Sequence, residues 1–184
     1  MCQVRTTSTP ASGALVAQPT DPRYLASTFP VPANDPRIRA TAREIAGNTN
    51  AAREQVRRLV AWMMANVRTS PAGVWTALDV LQQGEAECQG HAYLYTALAR
   101  ALGIPTRVVN GIAYSEEYKG FLYHTWTESY ADGHWLAVDP TFGTVPADAT
   151  HVKLVEGETL VELTPLVDWV GRRKVRVIAV EPER

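Results

Sequence analysis

Cysteine and net charge are both scarce in this chain. It has 184 residues and two cysteines, Cys2 and Cys88, which cannot supply a disulfide framework for a domain of this size. We therefore interpret both as free thiols. The 18 basic residues are interspersed with 19 acidic ones, and the net charge of −1 predicts no attraction to nucleic acid.

Long apolar runs are missing as well. No stretch approaches the roughly 18 apolar residues of a membrane-spanning helix, so we expect no transmembrane segment. The N-terminus lacks the basic-then-apolar order of a signal peptide, which favours a soluble protein as written. Met1-Cys2 precedes a stretch rich in Ser, Thr, Pro and Ala, a composition that processed bacterial lipoproteins also show. Cytoplasmic and processed periplasmic forms both remain open, and the compartment is unknown.

Proline is concentrated at the N-terminus, where the first 36 residues hold half of the chain's twelve prolines. This composition predicts an extended arm over residues 1–34, rich in Pro, Ser and Thr and partly disordered. The apolar residues of its second half, such as Tyr24 and Val31, predict contact with the rest of the chain. Residues 35–184 are enough for one compact domain with its own core.

Helical patterns fill the first half of this domain and strand patterns the second. Helical spacing of apolar residues, with capping residues such as Asp35 and Thr76, predicts helices at about 36–46, 51–67, 77–83 and 88–102. β-Branched and aromatic residues predict strands at 108–109, 112–114, 121–130, 135–139, 152–155 and 175–180. Helices before strands are typical of an α+β domain with an antiparallel sheet packed on its helices.

Cys88 opens the helix that follows Gly84, and this position suits a reactive thiol. A thiol reacts as its thiolate, and the unsatisfied N–H groups of a helix N-terminus favour that form. The backbone N–H of Cys88 would also point toward an oxyanion forming on a bound acyl group. From the residue alone, the alternative is a small buried hydrophobe, which is a frequent use of cysteine.

His124 and Asp139 lie on two strands joined by Ala131-Asp132-Gly133-His134, which carries the Asp-Gly signal of a tight turn. A loop of two or four residues pairs Tyr130 with Trp135 and places His124 and Asp139 on one face as diagonal neighbours. A carboxylate there can fix the imidazole tautomer and turn the other ring nitrogen toward a thiol. A loop of odd length would put Asp139 on the opposite face.

Together with their neighbours, these residues resemble the bacterial transglutaminase-like superfamily, which is related to the papain-like cysteine peptidases. The resemblance covers about eighty residues, from Thr76 to about Val155. Its motifs in chain order are Gly84-x-x-x-Cys88, Leu98-x-x-Ala101-x-Gly103-Ile104-Pro105-x-Arg107-x-Val109-x-Gly111, His124-x-Trp126-x-Glu128-x-Tyr130 and Trp135-x-x-Val138-Asp139-Pro140-Thr141.

The resemblance implies a role for each of the three candidate residues. Cys88 is then the nucleophile, His124 the general base and acid, and Asp139 the orienting carboxylate. It also implies a papain-like, transglutaminase-core fold for the catalytic domain at 35–184, with N-terminal helices packed on an antiparallel sheet. The local papain signature around Cys88 is absent, so endopeptidase specificity does not carry over. Gln82 stands six residues before Cys88, where papain-like enzymes place an oxyanion donor, and is our candidate for that role.

The function implied by the resemblance is thiol-dependent acyl transfer on amide bonds of a protein or peptide substrate. The acyl group goes to water, as in a peptidase or amidase, or to an amine, as in a protein-glutamine γ-glutamyltransferase. Hydrolysis is favoured, since water needs no second binding site. The alternative class is a non-catalytic peptide-binding or assembly module with the same fold.

We expect no cofactor and no metal. A competing interpretation makes Cys88-x-x-His91 and His124 part of a zinc site, but the sequence offers no convincing fourth ligand. The oligomeric state and the identity of the substrate are not predicted.

Overall fold

A computed structural model describes residues 19, 21–71, 73 and 76–167 of the chain. The helices are α1 (Pro36–Ala46), α2 (Ala52–Asn66), α3 (Ala77–Gln83), α4 (Cys88–Ala101) and a short α5 (Thr164–Val167). The strands are β1 (Arg68–Thr69), β2 (Glu85–Ala86), β3 (Thr106–Ser115), β4 (Gly120–Ala131), β5 (His134–Val138) and β6 (Val152–Glu156). The predicted strand at 175–180 and Cys2 lie outside the described residues.

Side-chain and backbone caps define the ends of the first helices, as the sequence predicts. Asp35 accepts a hydrogen bond from the Arg37 N–H at 2.8 Å, and Pro36 opens α1 where no N–H is needed. Thr76 and Asp79 form a reciprocal capping box at the start of α3. Gly84 then ends α3 with a φ of 67°, a left-handed conformation that glycine adopts without strain.

Helix α4 is the centre of the domain. Every residue from 90 to 100 on this helix is buried, so it is covered on all sides. Helices α1, α2 and α3 contact it from one side and strands β3 and β4 from the other. Its first residue, Cys88, is therefore held at a fixed point between the helical layer and the sheet.

The main sheet has four antiparallel strands in the order β5-β4-β3-β6, which confirms the predicted helix-on-sheet architecture. A two-residue turn at Asp132-Gly133, with φ values of 52° and 85°, joins β4 to β5. Tyr130 pairs with Trp135 across this hairpin, so the even-length register is confirmed. In that register, His124 and the residue after β5, Asp139, project from the same face.

Two features of the strands were not predicted. Strands β1 and β2 form a two-residue parallel pair that fixes the chain just before Cys88. The predicted strands at 108–109 and 112–114 are one continuous strand, β3, which runs through Asn110-Gly111 and bears a register shift there against β6. Elements of two residues are too short for any periodicity to reveal.

The described part of the N-terminal arm lies against the domain. A short 3-10 turn at Pro22–Leu25 places Tyr24 edge-to-face on Trp135, with ring centroids 5.0 Å apart. Val31 is completely buried in the main hydrophobic core. The predicted contact of the second half of the arm is therefore confirmed. Within the described ranges, no helix has both the length and the apolar character needed to cross a membrane.

Candidate active site

Cys88 is the first residue of α4. It is a free cysteine with a half-buried side chain. The preceding residue, Glu87, makes no side-chain capping hydrogen bond to this helix. The first N–H groups of α4 are therefore not satisfied by a capping side chain and can serve a bound anion or oxyanion.

The imidazole of His124 is buried among aromatic rings. Phe142 stacks on it with centroids 4.8 Å apart, and Trp126 lies nearly parallel at 6.2 Å. Gly111, the partner of His124 on β3, makes room for this arrangement. A Cβ on Gly111 would lie 2.1 Å from the Val152 carbonyl oxygen and 2.8 Å from Cη2 of Trp126, so a larger residue there would displace the indole.

Asp139 is completely buried and saturated with donors. Its Oδ2 accepts a hydrogen bond from Nε2 of His124 at 2.7 Å, and its Oδ1 accepts from the backbone N–H groups of Thr141 and Phe142 at 2.8 and 3.1 Å. Burial alone would raise the pKa of Asp139, but hydrogen bonds from His124 and His151 outweigh it, and the pKa lies well below its usual range. Asp139 is therefore an ionised acceptor.

Since a carboxylate can only accept, Nε2 of His124 carries the proton in this bond, which leaves Nδ1 to face another group. That group is the thiol of Cys88. Burial opposes the charged imidazole, but hydrogen bonds to Asp139 and Cys88 overcome it and raise the pKa of His124 to about 9. The structure thus places Cys88, His124 and Asp139 in one row, with His124 hydrogen-bonded to Asp139 and Cys88 beside the same imidazole.

His151 also belongs to this cluster, and the sequence reasoning missed it. Its Nε2 lies 3.0 Å from Oδ2 of Asp139, and its ring centroid is 5.6 Å from that of His124. His151 precedes β6 in an irregular segment, so no strand register relates it to Asp139. The spacing Asp148-x-x-His151 was the one available signal, and it is too common to identify a site.

Among the residues that the structure describes, one group of three offers ligand atoms for a metal ion. Those of His124, Asp139 and His151 lie within 4.8 Å of one another. The same atoms lie at hydrogen-bonding distances of 2.7 and 3.0 Å. The zinc set considered from the sequence is different. In that set, Nδ1 of His91 lies 2.9 Å from the Glu87 carbonyl of its own helix.

Gln82, the candidate oxyanion donor, lies on the last turn of α3 with an exposed side chain. Together with Arg37, Leu78 and Leu81 it lines a cavity of about 320 Å³ between α1 and α3. Its proposed role stays a prediction.

Glu128 shares the sheet face of His124 and forms two ion pairs. Its Oε2 accepts from Nε of Arg107 at 2.6 Å and from Nζ of Lys153 at 2.7 Å. Arg107 also pairs with Glu156 at 2.8 Å and places its guanidinium 4.0 Å from the centroid of the Trp135 ring. This cluster ties β3, β4, β5 and β6 together.

Comparison with known proteins finds relatives whose sequences are similar to part of this chain. The mouse (Mus musculus) kyphoscoliosis peptidase is 30% identical over 81 residues, which are 41% of this chain and 12% of the mouse protein. The human (Homo sapiens) kyphoscoliosis peptidase is 25% identical over 113 residues, which are 54% of this chain and 17% of the human protein. The chain therefore matches less than a fifth of the length of either relative.

Solved structures support the fold. A candidate cysteine protease from Cytophaga hutchinsonii superposes with a TM-score of 0.66 at 22% identity, covering 80% of this chain and 50% of that protein. The periplasmic domain of TgpA from Pseudomonas aeruginosa, bound to ethylmercury, superposes with a TM-score of 0.51 at 26% identity, covering 66% and 48%. The model of the transglutaminase-like superfamily matches residues 39–140, more than half of the chain and all three residues of the row. On this match, the chain belongs to the transglutaminase-like superfamily.

Proposed function

We propose that this chain is a cysteine-dependent enzyme that transfers acyl groups from amide bonds of a protein or peptide. Cys88 is the nucleophile, His124 the general base and acid, and Asp139 the carboxylate that orients His124. The observation that carries the proposal is the 2.7 Å hydrogen bond between Nε2 of His124 and Oδ2 of Asp139, on a ring whose pKa is also raised by the neighbouring Cys88.

Before substrate binds, the Cys88 proton already lies on Nδ1 of His124, and the imidazolium stabilises the thiolate. The sulfur attacks the carboxamide carbon, and the carbonyl electrons move onto oxygen. When this oxyanion collapses, the C–N bond breaks and His124 gives its proton to the leaving nitrogen. A thioester on Cys88 and a free amine remain.

The second half of the reaction removes the acyl group from Cys88. His124 takes a proton from water or from an incoming amine, which attacks the thioester carbon and releases the thiol. Water yields a carboxylic acid, and an amine yields a new amide. We favour hydrolysis, because water needs no second binding site and because the mouse and human relatives are named as peptidases.

Two donors are proposed for the oxyanion. The first is the backbone N–H of Cys88 at the uncapped start of α4. The second is Gln82, whose side chain would have to turn from its cavity toward the thiol. Gln82→Ala separates the two, because an oxyanion donor assists attack on an amide but not alkylation of the sulfur. A Gln82→Ala protein with unchanged acylation would remove Gln82 from the proposal.

Iodoacetamide labelling at pH 6 tests the thiol, with Cys2 as an internal control in the same chain. We expect Cys88 to react at least about tenfold faster than Cys2, since an ion-paired thiolate persists where a free thiol is protonated. His124→Ala should abolish this difference. Equal rates at the two cysteines would instead favour a non-catalytic peptide-binding or assembly module with the same fold.

Mass spectrometry of the acylated enzyme tests the reaction itself. Incubation with a lysate digest at low pH, followed by rapid quenching, should leave acyl adducts on Cys88 and none on a Cys88→Ala protein. Adding a labelled alkylamine then distinguishes the acceptors. Release of free acid indicates hydrolysis, and incorporation of the label indicates transamidation.

A further inference from the structure

His151 is the second imidazole that contacts the Asp139 carboxylate. Its side chain is 5% exposed, and its Nε2 lies 3.0 Å from the same Oδ2 that His124 uses. Its Nδ1 lies 2.9 Å from Oδ1 of Asp148. A single imidazole therefore bridges two carboxylates, one inside the protein and one at the surface.

The two carboxylates determine the protonation state of the His151 imidazole. Asp139 receives donors from Thr141, Phe142, His124 and His151, which fill the roughly four acceptor positions of an ionised carboxylate. Oδ1 of Asp148 likewise accepts from the N–H and the hydroxyl of Thr150. Because neither carboxylate can donate, each nitrogen of His151 must carry a proton, and only the imidazolium form has both.

We propose that His151 is a positioning residue of the active site. It is held as an imidazolium that fixes the Asp139 carboxylate in place and shares the negative charge of that carboxylate with His124. The inference rests on the proposed function, in which Asp139 orients His124. Its geometric basis is the row His124–Asp139–His151–Asp148, in which two histidines alternate with two carboxylates.

The electrostatics of the row agree with this geometry. Burial disfavours the charge on His151, but hydrogen bonds to Asp139 and Asp148 outweigh it and raise the pKa of His151. The neighbouring groups on this part of the sheet are the rings of Trp126 and Phe142, with centroids 5.2 and 6.3 Å from that of His151. These rings supply no charge to the row.

Two substitutions separate the two roles of His151. His151→Gln keeps an N–H that can donate to Asp139 but removes the charge, whereas His151→Leu removes both. The readout is the pH profile of Cys88 alkylation. With either variant we expect the acid limb to move to higher pH by about one unit, because a nearby positive charge is lost. His151→Leu should also lower the plateau rate of Cys88 alkylation by about tenfold, because Asp139 loses its orientation. His151→Gln should keep most of the wild-type plateau rate.

Two control variants distinguish a specific effect of His151 from loss of the folded structure. His134→Gln removes a histidine on the β4–β5 hairpin and should leave the profile unchanged. Asp148→Ala alters a side chain that is 64% exposed, so the fold is not at risk, and it should move the acid limb in the same direction by a smaller amount. If melting temperatures are unchanged and both His151→Leu and Asp148→Ala keep the wild-type profile, the inference is wrong.

A second measurement does not depend on catalysis. In a Cys88→Ala protein, ring ¹⁵N shifts at pH 7 should show both nitrogens of His151 protonated, and Asp148→Ala should weaken this state. A neutral His151 ring in Cys88→Ala would overturn the inference even if the proposed function holds. Conversely, an unreactive Cys88 in the wild-type protein would overturn the proposed function while the charged state of His151 could still be observed.

Discussion

Asp139 and Glu128 are two carboxylates on one face of the sheet, and each receives two nitrogen donors on a single oxygen. Oδ2 of Asp139 accepts from His124 and His151, and Oε2 of Glu128 accepts from Arg107 and Lys153. The four donor–acceptor distances lie between 2.6 and 3.0 Å. The two clusters thus have closely similar geometry.

They differ in burial and in the chemistry of their partners. Asp139 is completely buried and is held by two backbone N–H groups, whereas the Glu128 side chain is 16% exposed and belongs to a network of ion pairs. Imidazoles gain and lose protons near neutral pH, while guanidinium and ammonium groups remain charged. We therefore propose that this arrangement moves protons beside Cys88, whereas beside Glu128 it holds strands together.

The largest expected effect in this comparison comes from Asp139→Asn. An amide has one acceptor oxygen and an NH₂ group, so it cannot satisfy four converging donors, and its own N–H would face another N–H. We expect alkylation of Cys88 at pH 6 to fall about a hundredfold, because His124 loses its orientation. Stability should also fall by about 1–3 kcal/mol through the unsatisfied groups.

The matching change in the other cluster is the control for this experiment. Glu128→Gln makes the same exchange of carboxylate for amide on the same sheet face. A similar loss of Cys88 reactivity in both variants would mean that net charge on the sheet, and not orientation of His124, governs the thiol.

The part of this site that the sequence predicts is the part controlled by local signals. The Asp-Gly turn determines the length of the β4–β5 loop, the loop determines the register, and the register places Asp139 on the face of His124. The capping box at Thr76 similarly determined where α3 begins. Each of these steps uses residues that are near one another in the chain.

The parts that the sequence did not predict depend on contacts between residues that no local signal relates. His151 reaches Asp139 from a loop, and no hairpin register relates the two residues. The β1–β2 pair joins two-residue strands that are far apart in sequence, since Arg68 pairs with Glu85. Nothing in the residue types around Gln82 indicated that its side chain would line a separate cavity.

An intermediate effect is expected for the pH dependence of stability. The raised pKa of His124 means that the folded protein holds a proton that the unfolded chain releases above about pH 6.5. The stabilisation is therefore complete below pH 6.5 and is lost as pH rises toward 9. In a Cys88→Ala background, where no thiol proton can move to His124, we expect the stability difference between the parent protein and its His124→Gln variant to shrink by about 1.4 kcal/mol per pH unit above pH 6.5, until the folded-state pKa of His124 is reached.

Urea unfolding at pH 6, 7, 8 and 9 measures this difference. Asp139 acts in the opposite direction, because its lowered pKa adds stability above its ordinary value near 3.8 that is lost as pH falls further. A difference between the Cys88→Ala protein and its His124→Gln variant that stays constant from pH 6 to 9 would contradict a protonated His124 in the folded state.

The smallest expected effect is that of Glu128→Gln on stability. The pairs with Arg107 and Lys153 are partly exposed, so solvent screens them and each contributes little. The amide oxygen of the substituted side chain can still accept one of the two donors, and Arg107 keeps its pair with Glu156 and its contact with Trp135. We expect a loss of about 1 kcal/mol or less in urea unfolding, reduced further at 0.5 M salt, with Cys88 alkylation within about twofold of wild type. A larger loss in the free energy of unfolding, independent of salt, would show that Glu128 stabilises the fold as much as Asp139 does. The two carboxylates would then differ only in the identity of their partners.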